Sequence, residues 1–287
     1  MLNRRLLLNL ALLLVVIGLA MVALRPHPQP APTGVVLAPG IDAATVRHIT
    51  ISRPGQPALT FARVNHAWHL TAPIRARANP ALMRALLDLP QARSNKRYAA
   101  ARLDLAQYGL APPRATIRFG KTRIELGTLN PLNQRRYALR NGMLYLVSDA
   151  LSTLPESPAL SWISLKLLPP GARITALHLP TLDLRAKAPS GWTLAHAHAS
   201  AAQIAALLDA WRQAHALRIT PAARSTANTQ GDIRVGLADG TQLHFQIIAT
   251  QPSLILRAPG LRADYHLPAA LAGRLLHLPA SAAHPAP

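Results

Sequence analysis

The spacing of apolar positions changes period several times along the chain. Residues 6–24 are apolar and broken only by Asn9. At ~1.5 Å rise per residue such a run predicts a helix long enough to cross a hydrocarbon layer of about 30 Å. Arg4 and Arg5 precede it and only Arg25 follows at once, so the positive-inside bias predicts a cytoplasmic N-terminus with the rest of the chain outside. Pro26, Pro28, Pro30, Pro32 and Pro39 then mark an extended, semi-rigid spacer. Beyond it the period falls to two. Val46-Arg47-His48-Ile49-Thr50-Ile51 and Leu59-Thr60-Phe61-Ala62-Arg63-Val64 flank Pro54-Gly55 and predict an antiparallel hairpin, followed by a short strand at Trp68-His69-Leu70. A helix is predicted next, opened by Asn79 as cap and Pro80 in its first turn, with Leu82, Leu86 and Leu89 on one stripe. Four more alternating stretches, ending near Val147 and containing the Asn141-Gly142 turn signal, predict a meander.

The same succession returns about 120 residues later. Trp68-His69-Leu70 is echoed by Trp192-Thr193-Leu194, and Ala85-Leu86-Leu87-Asp88 by Ala206-Leu207-Leu208-Asp209. Ile117-Arg118-Phe119-Gly120 is echoed by Ile233-Arg234-Val235-Gly236, and Tyr145 by Tyr265. The order is kept throughout, as in a duplication. In the second copy Ser200 and Gln203 fit a capping box, with Ile204, Leu207, Leu208 and Trp211 at helical spacing behind it. The expected fold class is therefore α+β: an N-terminal transmembrane helix followed by two tandem, internally duplicated modules of antiparallel sheet plus packed helix. The expected boundaries are a cytoplasmic N-terminus at 1–5, the anchor at 6–24, the spacer at 25–44, module 1 at 45–155, a linker at 156–172, module 2 at 173–278 and a loose tail at 279–287.

Composition narrows the chemistry. Apolar residues make up 50% of the 287 positions and aromatics 4%, so the core is aliphatic. The absence of cysteine excludes disulfides, thiolate zinc sites and cysteine nucleophiles. The chain has 31 Lys+Arg against 11 Asp+Glu, a net charge of +20, which leaves few carboxylates for acid–base work. The only two glutamates, Glu125 and Glu156, have no evident acid or base partner. His196 with His198, and His66 with His69, make imidazole pairs that lack a third ligand. No serine-elbow, phosphate-cradling, dinucleotide or His-Glu-x-x-His motif is present, so no catalytic residue, cofactor or metal is assigned.

Trp68-His69-Leu70-Thr71-Ala72-Pro73, Tyr108-Gly109-Leu110-Ala111-Pro112, Leu126-Gly127, Arg136-Tyr137 and Tyr145-Leu146-Val147 occur in an order that resembles the bacterial domain-of-unknown-function family 4340. The resemblance covers about residues 45 to 155, and module 2 only through the internal repeat. It implies an N-terminally anchored envelope protein. Some members resemble auxiliary components of gliding-motility-type ABC transport systems, and the resemblance supplies no catalytic residues. Read without it, Trp68 and Trp192 are expected to plug the core between sheet and helix, and Tyr108, Gly109 and Leu110 to make a tight connection.

The basic residues Arg93, Lys96 and Arg97, with Arg135, Arg136 and Arg140, are the candidate interaction surface, whether toward acidic partners, anionic glycans or lipid headgroups. Nucleic acid is excluded as a partner by the predicted topology and the scarcity of aromatics. The expected function is that of a non-catalytic, periplasmic accessory or scaffold, held in the bacterial inner membrane by Leu6 to Leu24 and partnered by an ABC-type transporter or another envelope complex. A module binding anionic glycan or lipid is the alternative, with an exported hydrolase third.

Overall fold

The computed structural model describes residues 12, 13, 15, 34–148, 154–187, 191–195, 198–223 and 229–279. The chain enters through β1 (Val35–Val36) and turns into the hairpin of β2 (His48–Arg53) and β3 (Gln56–Val64). Its alternation puts Ile49, Ile51, Leu59 and Phe61, all wholly buried, on one face. β4 (Ala67–Ala72) and β5 (Ala76–Arg77) extend the sheet, and α1 (Pro80–Asp88) lays Met83 and Leu86 into the core. That helix starts where Asn79 Oδ1 accepts from the Ala81 and Leu82 amides at 3.0 and 3.5 Å. β6 (Arg93–Ser94), β7 (Arg97–Ala99), β8 (Ala115–Phe119), β9 (Thr122–Leu129), β10 (Arg136–Arg140) and β11 (Met143–Val147) follow.

The second half comprises β12 (Ile174–Leu179), β13 (Leu182–Ala186), β14 (Trp192–Ala195), α2 (Ala201–Gln213), β15 (Arg218–Pro221), β16 (Gly231–Leu237), β17 (Gln242–Ala249), β18 (Ser253–Ala258), β19 (Ala263–Pro268) and α3 (Ala270–Leu276). The nine-stranded sheet runs β5-β4-β3-β2-β8-β9-β10-β11-β7 and the eight-stranded one β14-β13-β12-β16-β17-β18-β19-β15. Apart from β5, the two follow the same path in the same antiparallel sense. The register equates Tyr145, opposite Ala138, with Tyr265, opposite Leu256.

The α+β expectation is corrected by this architecture. Among the described residues from 34 onward there are nineteen strands in three sheets against three α-helices of 9, 13 and 7 residues, so strands dominate. Short helices suffice because each has only one sheet face to cover. No helix among the described residues is long and apolar enough to cross a membrane. The expected anchor at 6–24 lies almost wholly outside the described residues, of which Leu12, Leu13 and Val15 are helical and exposed.

Two stretches expected as connections are folded. Within the expected spacer, Val35 and Val36 pair with Ser94 and Arg93, and Leu37 and Ala38 are wholly buried. Within the expected linker, Trp162, Ile163, Leu167 and Leu168 are buried, with the Trp162 ring 5.1 Å from that of Phe61. Asn79 N donates to Trp162 O at 2.7 Å and Ser164 N to Arg77 O at 2.8 Å, closing the β5 edge. A few residues on, Leu167 N donates to Ala214 O at 3.2 Å and Ala216 N to Leu165 O at 2.8 Å. The connection, a 3-10 turn at Ala159–Trp162 followed by isolated bridges from Ile163 to Ala78 and from Lys166 to His215, thus pairs with both halves, and one continuous core spans both.

Candidate functional site

The residues that carry the family resemblance converge on one corner of the first sheet. A short 3-10 turn, Leu105–Tyr108, is capped by Asp104, whose carboxylate accepts from the Ala106 amide at 3.1 Å. It ends at Gly109 with φ 65°, a left-handed conformation that turns the chain back over β9. There the Tyr108 carbonyl presses against Gly127 so closely that a β-carbon on Gly127 would overlap it. The Thr128 hydroxyl donates to the same carbonyl at 3.1 Å. Arg136, 7% exposed, donates through Nη1 to Gly127 O at 2.7 Å and to Glu156 Oε1 at 3.2 Å. The Tyr108 ring meets Tyr137 edge-on at 4.8 Å. Leu110 is buried beneath, 3% exposed. In the second sheet the register puts Leu254 where Arg136 stands, so this clasp belongs to the first half.

The six basic candidates therefore divide. Arg136 is no surface residue, because its guanidinium holds the chain at Gly127 and Glu156; this corrects the expectation that it faces a partner. Arg140 is half-buried and donates to Leu37 O at 3.2 Å, fastening the entering segment. Arg93, exposed, donates to Gly34 O at 3.1 Å. Lys96 and Arg97 are exposed beside it at the β7 edge, and Arg135 is half-exposed at the other end of β10. What the sequence grouped by proximity is split by the period of the strand, which turns alternate residues to opposite faces.

Trp68 and Trp192 occupy matching positions, opposite Arg63 and Ala186, yet both are only half-buried at strand starts. The expected core plugs are instead Trp162 and Trp211, each wholly buried. Trp211 is in the apolar stripe of α2 and donates through Nε1 to Leu275 O at 3.0 Å. Trp162 gave no periodic signal because it belongs to neither module's pattern.

The outer face of the second sheet is polar and self-paired. His178 lies 3.1 Å from Asp183, and His244 lies 2.8 Å from Asp232. The His244 hydrogen bond holds the Asp232 carboxyl below the usual carboxylate range. Arg257 makes a two-pronged contact with the buried Asp264, at 2.8 and 3.0 Å. Thr220 Oγ1 meets His266 Nε2 at 2.9 Å, and burial together with Arg218 lowers the His266 imidazole. Between the halves, Arg77 donates to Lys166 O at 3.0 Å and faces Tyr265, whose phenol burial pushes up to about 12. Of the imidazole pairs, His198 is exposed and His196 lies outside the described residues; His66 is exposed and His69 half-buried. No group of three ligating side chains suited to a metal occurs among the described residues.

No curated protein and no solved structure matches the chain. The family model described as "Domain of unknown function (DUF4340)" matches residues 68–228, which takes in the Tyr108–Gly127–Arg136 clasp, the connection between the halves and the start of the second half. That match begins later than the resemblance read from the sequence and continues well past it. With more than half of its length matched, the chain belongs to the DUF4340 family.

Proposed function

We propose that the protein is a non-catalytic accessory or scaffold of an envelope assembly, held at the inner membrane by its N-terminal apolar run and exposed on the periplasmic side, with an ABC-type transporter or another envelope complex as its partner. The observation that carries this reading is where the carboxylates go. Glu125 pairs with Arg123, Glu156 with Arg136, Asp209 with Arg212 and Asp264 with Arg257, while Asp183 and Asp232 meet histidines. Asp42, Asp104 and Asp239 hold backbone amides in turns. Nine of the 11 acids thus serve the fold itself, whereas the cationic excess remains for a surface. A surface of that sign attracts acidic partners and gives recognition its orientation.

Affinity purification of the full chain from membranes in mild detergent tests this. Stoichiometric membrane proteins are expected to accompany it, and Lys96→Glu with Arg97→Glu is expected to release them without lowering the melting temperature. Recovery of the chain alone, together with retention on anionic glycan or anionic vesicles, favours the lipid- or glycan-binding alternative. A turnover-dependent product in the purified sample sinks both.

A further inference from the structure

The two large sheets present four edges, and among the described residues three of them are guarded. β5 is closed by Ile163 and Ser164. β7 carries the exposed Lys96 and Arg97, and β15 ends in Pro221 and lies against the turn Ala159–Trp162. Charge, proline and cover are the means by which folded chains keep their edges from pairing with other chains. β14, which reads Trp192-Thr193-Leu194-Ala195, has none of the three.

The first half shows what this edge lacks. Register equates Trp192, Thr193 and Leu194 with Trp68, His69 and Leu70, and there β5 sets Arg77 opposite His69 and Ala76 opposite Leu70. Ala78 N then donates to Trp68 O at 2.8 Å. Residues 73–78 join β4 to the cap Asn79, whereas only residues 196–199 join β14 to the cap Ser200. The second connection is shorter by two residues, the length of β5. Lys187 N donates to Gly191 O at 3.0 Å, which fixes the ladder so that Thr193 bonds inward to β13. Trp192 and Leu194 therefore turn their N–H and C=O groups outward, where no described residue pairs with them.

The side chains around the edge select what fits it. Trp192 and Leu194 are half-buried on the core side, where the first half sets Ala76 opposite Leu70, so apolar residues belong opposite them. On the other face Arg185 stands opposite Thr193, and Lys187 is bonded across to Gly191, which has no side chain to screen it. Both cations are exposed, and the acid on the same strand, Asp183, is taken by His178. A carboxylate opposite Thr193 on an added strand stands about two strand spacings, roughly 10 Å, from the Arg185 backbone, within reach of the two extended side chains. Pairing β14 with that of a second copy instead puts the Arg185 and Lys187 of both copies beside one strand pair, like charge against like, in a chain of net charge +20.

We propose that the outer edge of β14 is a docking site for an extended segment of another protein, one whose alternate residues are apolar and acidic, which adds to the sheet as a further strand. Backbone bonds to Trp192 and Leu194 supply the affinity, and Arg185 with Lys187 select the acidic partner. The site lies in the other half from Lys96 and Arg97, and the inference does not depend on the accessory function.

The test titrates the full chain, in mild detergent, into a fluorescent peptide Thr-Val-Glu-Val-Glu-Val-Thr and, separately, into its counterpart with Lys for Glu. The acidic peptide is expected to bind at least about tenfold more tightly and to slow amide exchange at Trp192 and Leu194. Arg185→Glu with Lys187→Glu is expected to reverse the preference. Leu194→Pro removes one outward donor where an edge strand tolerates proline, and is expected to weaken both peptides. Should that variant fail to fold, the charge reversal alone decides. Absence of binding, equal affinity for the two peptides, or binding that leaves the Trp192 and Leu194 amides unprotected overturns the proposal. Amides already protected without peptide overturn it too: protection that fades on dilution assigns the edge to a second copy, and protection that persists assigns it to the chain's own residues.

Discussion

The carbonyl of Tyr108 occupies the space that a side chain on Gly127 would need, so Gly127→Ala must push two backbones apart rather than rotate a side chain. A loss of about 1–3 kcal/mol is expected from such overpacking, read as a lower urea midpoint at unchanged slope. The tryptophans rank by burial instead of by recurrence. Trp162→Ala and Trp211→Ala are each expected to cost about 3–5 kcal/mol, and Trp68→Ala or Trp192→Ala clearly less. His266 adds a pH dependence whose sign follows from its lowered pKa. The folded protein favours the neutral ring, so its contribution is fully present above the unfolded value of about 6.5 and is lost as pH falls through the folded value. Thermal melts between pH 7.5 and 5 are expected to fall less steeply for His266→Gln than for the parent.

At the scale of elements, the two helices solve one problem in two ways. Asn79, at the start of α1, gives its amide to the Trp162 carbonyl of the connection between the halves. Ser200, at the start of α2, gives its amide to Gln203 Oε1 at 2.9 Å, and Gln203 Nε2 then donates to Pro279 O at 2.7 Å. The second helix thereby reproduces through a side chain the link that the first makes directly. Gln203→Ala is expected to cost about 0.5–2 kcal/mol, as loss of a cap does, and to speed amide exchange in the first turn of α2. Both helix starts, the β2–β3 hairpin and the burial of Ile204, Leu207, Leu208 and Trp211 were legible in the sequence, because caps and periodicity are local. The clasp was legible only as a string of recurring words, since Tyr108 and Gly127 meet through a carbonyl that no side-chain pattern encodes. Residues 34–38 and 159–168 misled because a two-residue strand, a 3-10 turn and single bridges paired at a distance carry no alternation of their own.

Taken as a whole, the molecule has a direction. Each half is led in by a segment that pairs behind its own helix, the strand Val35–Val36 in one case and the bridge from Lys166 to His215 in the other. The second lead-in also closes the edge of the half before it. One core and one connection bridged to both halves predict a single cooperative unfolding transition, and Trp162→Ala is expected to split it into two in calorimetry. A chain emerging from the ribosome, or from a translocation pore, presents its N-terminal half first. That half has all its own strands by residue 147, yet Phe61 and the β5 edge stay uncovered until Trp162 and Ser164 appear. For the time those residues take to emerge, the nascent protein offers an open β-edge and an aromatic face to its surroundings. Stalled chains ending near residue 150 are therefore expected to bind holding chaperones, and chains reaching residue 170 to be released from them.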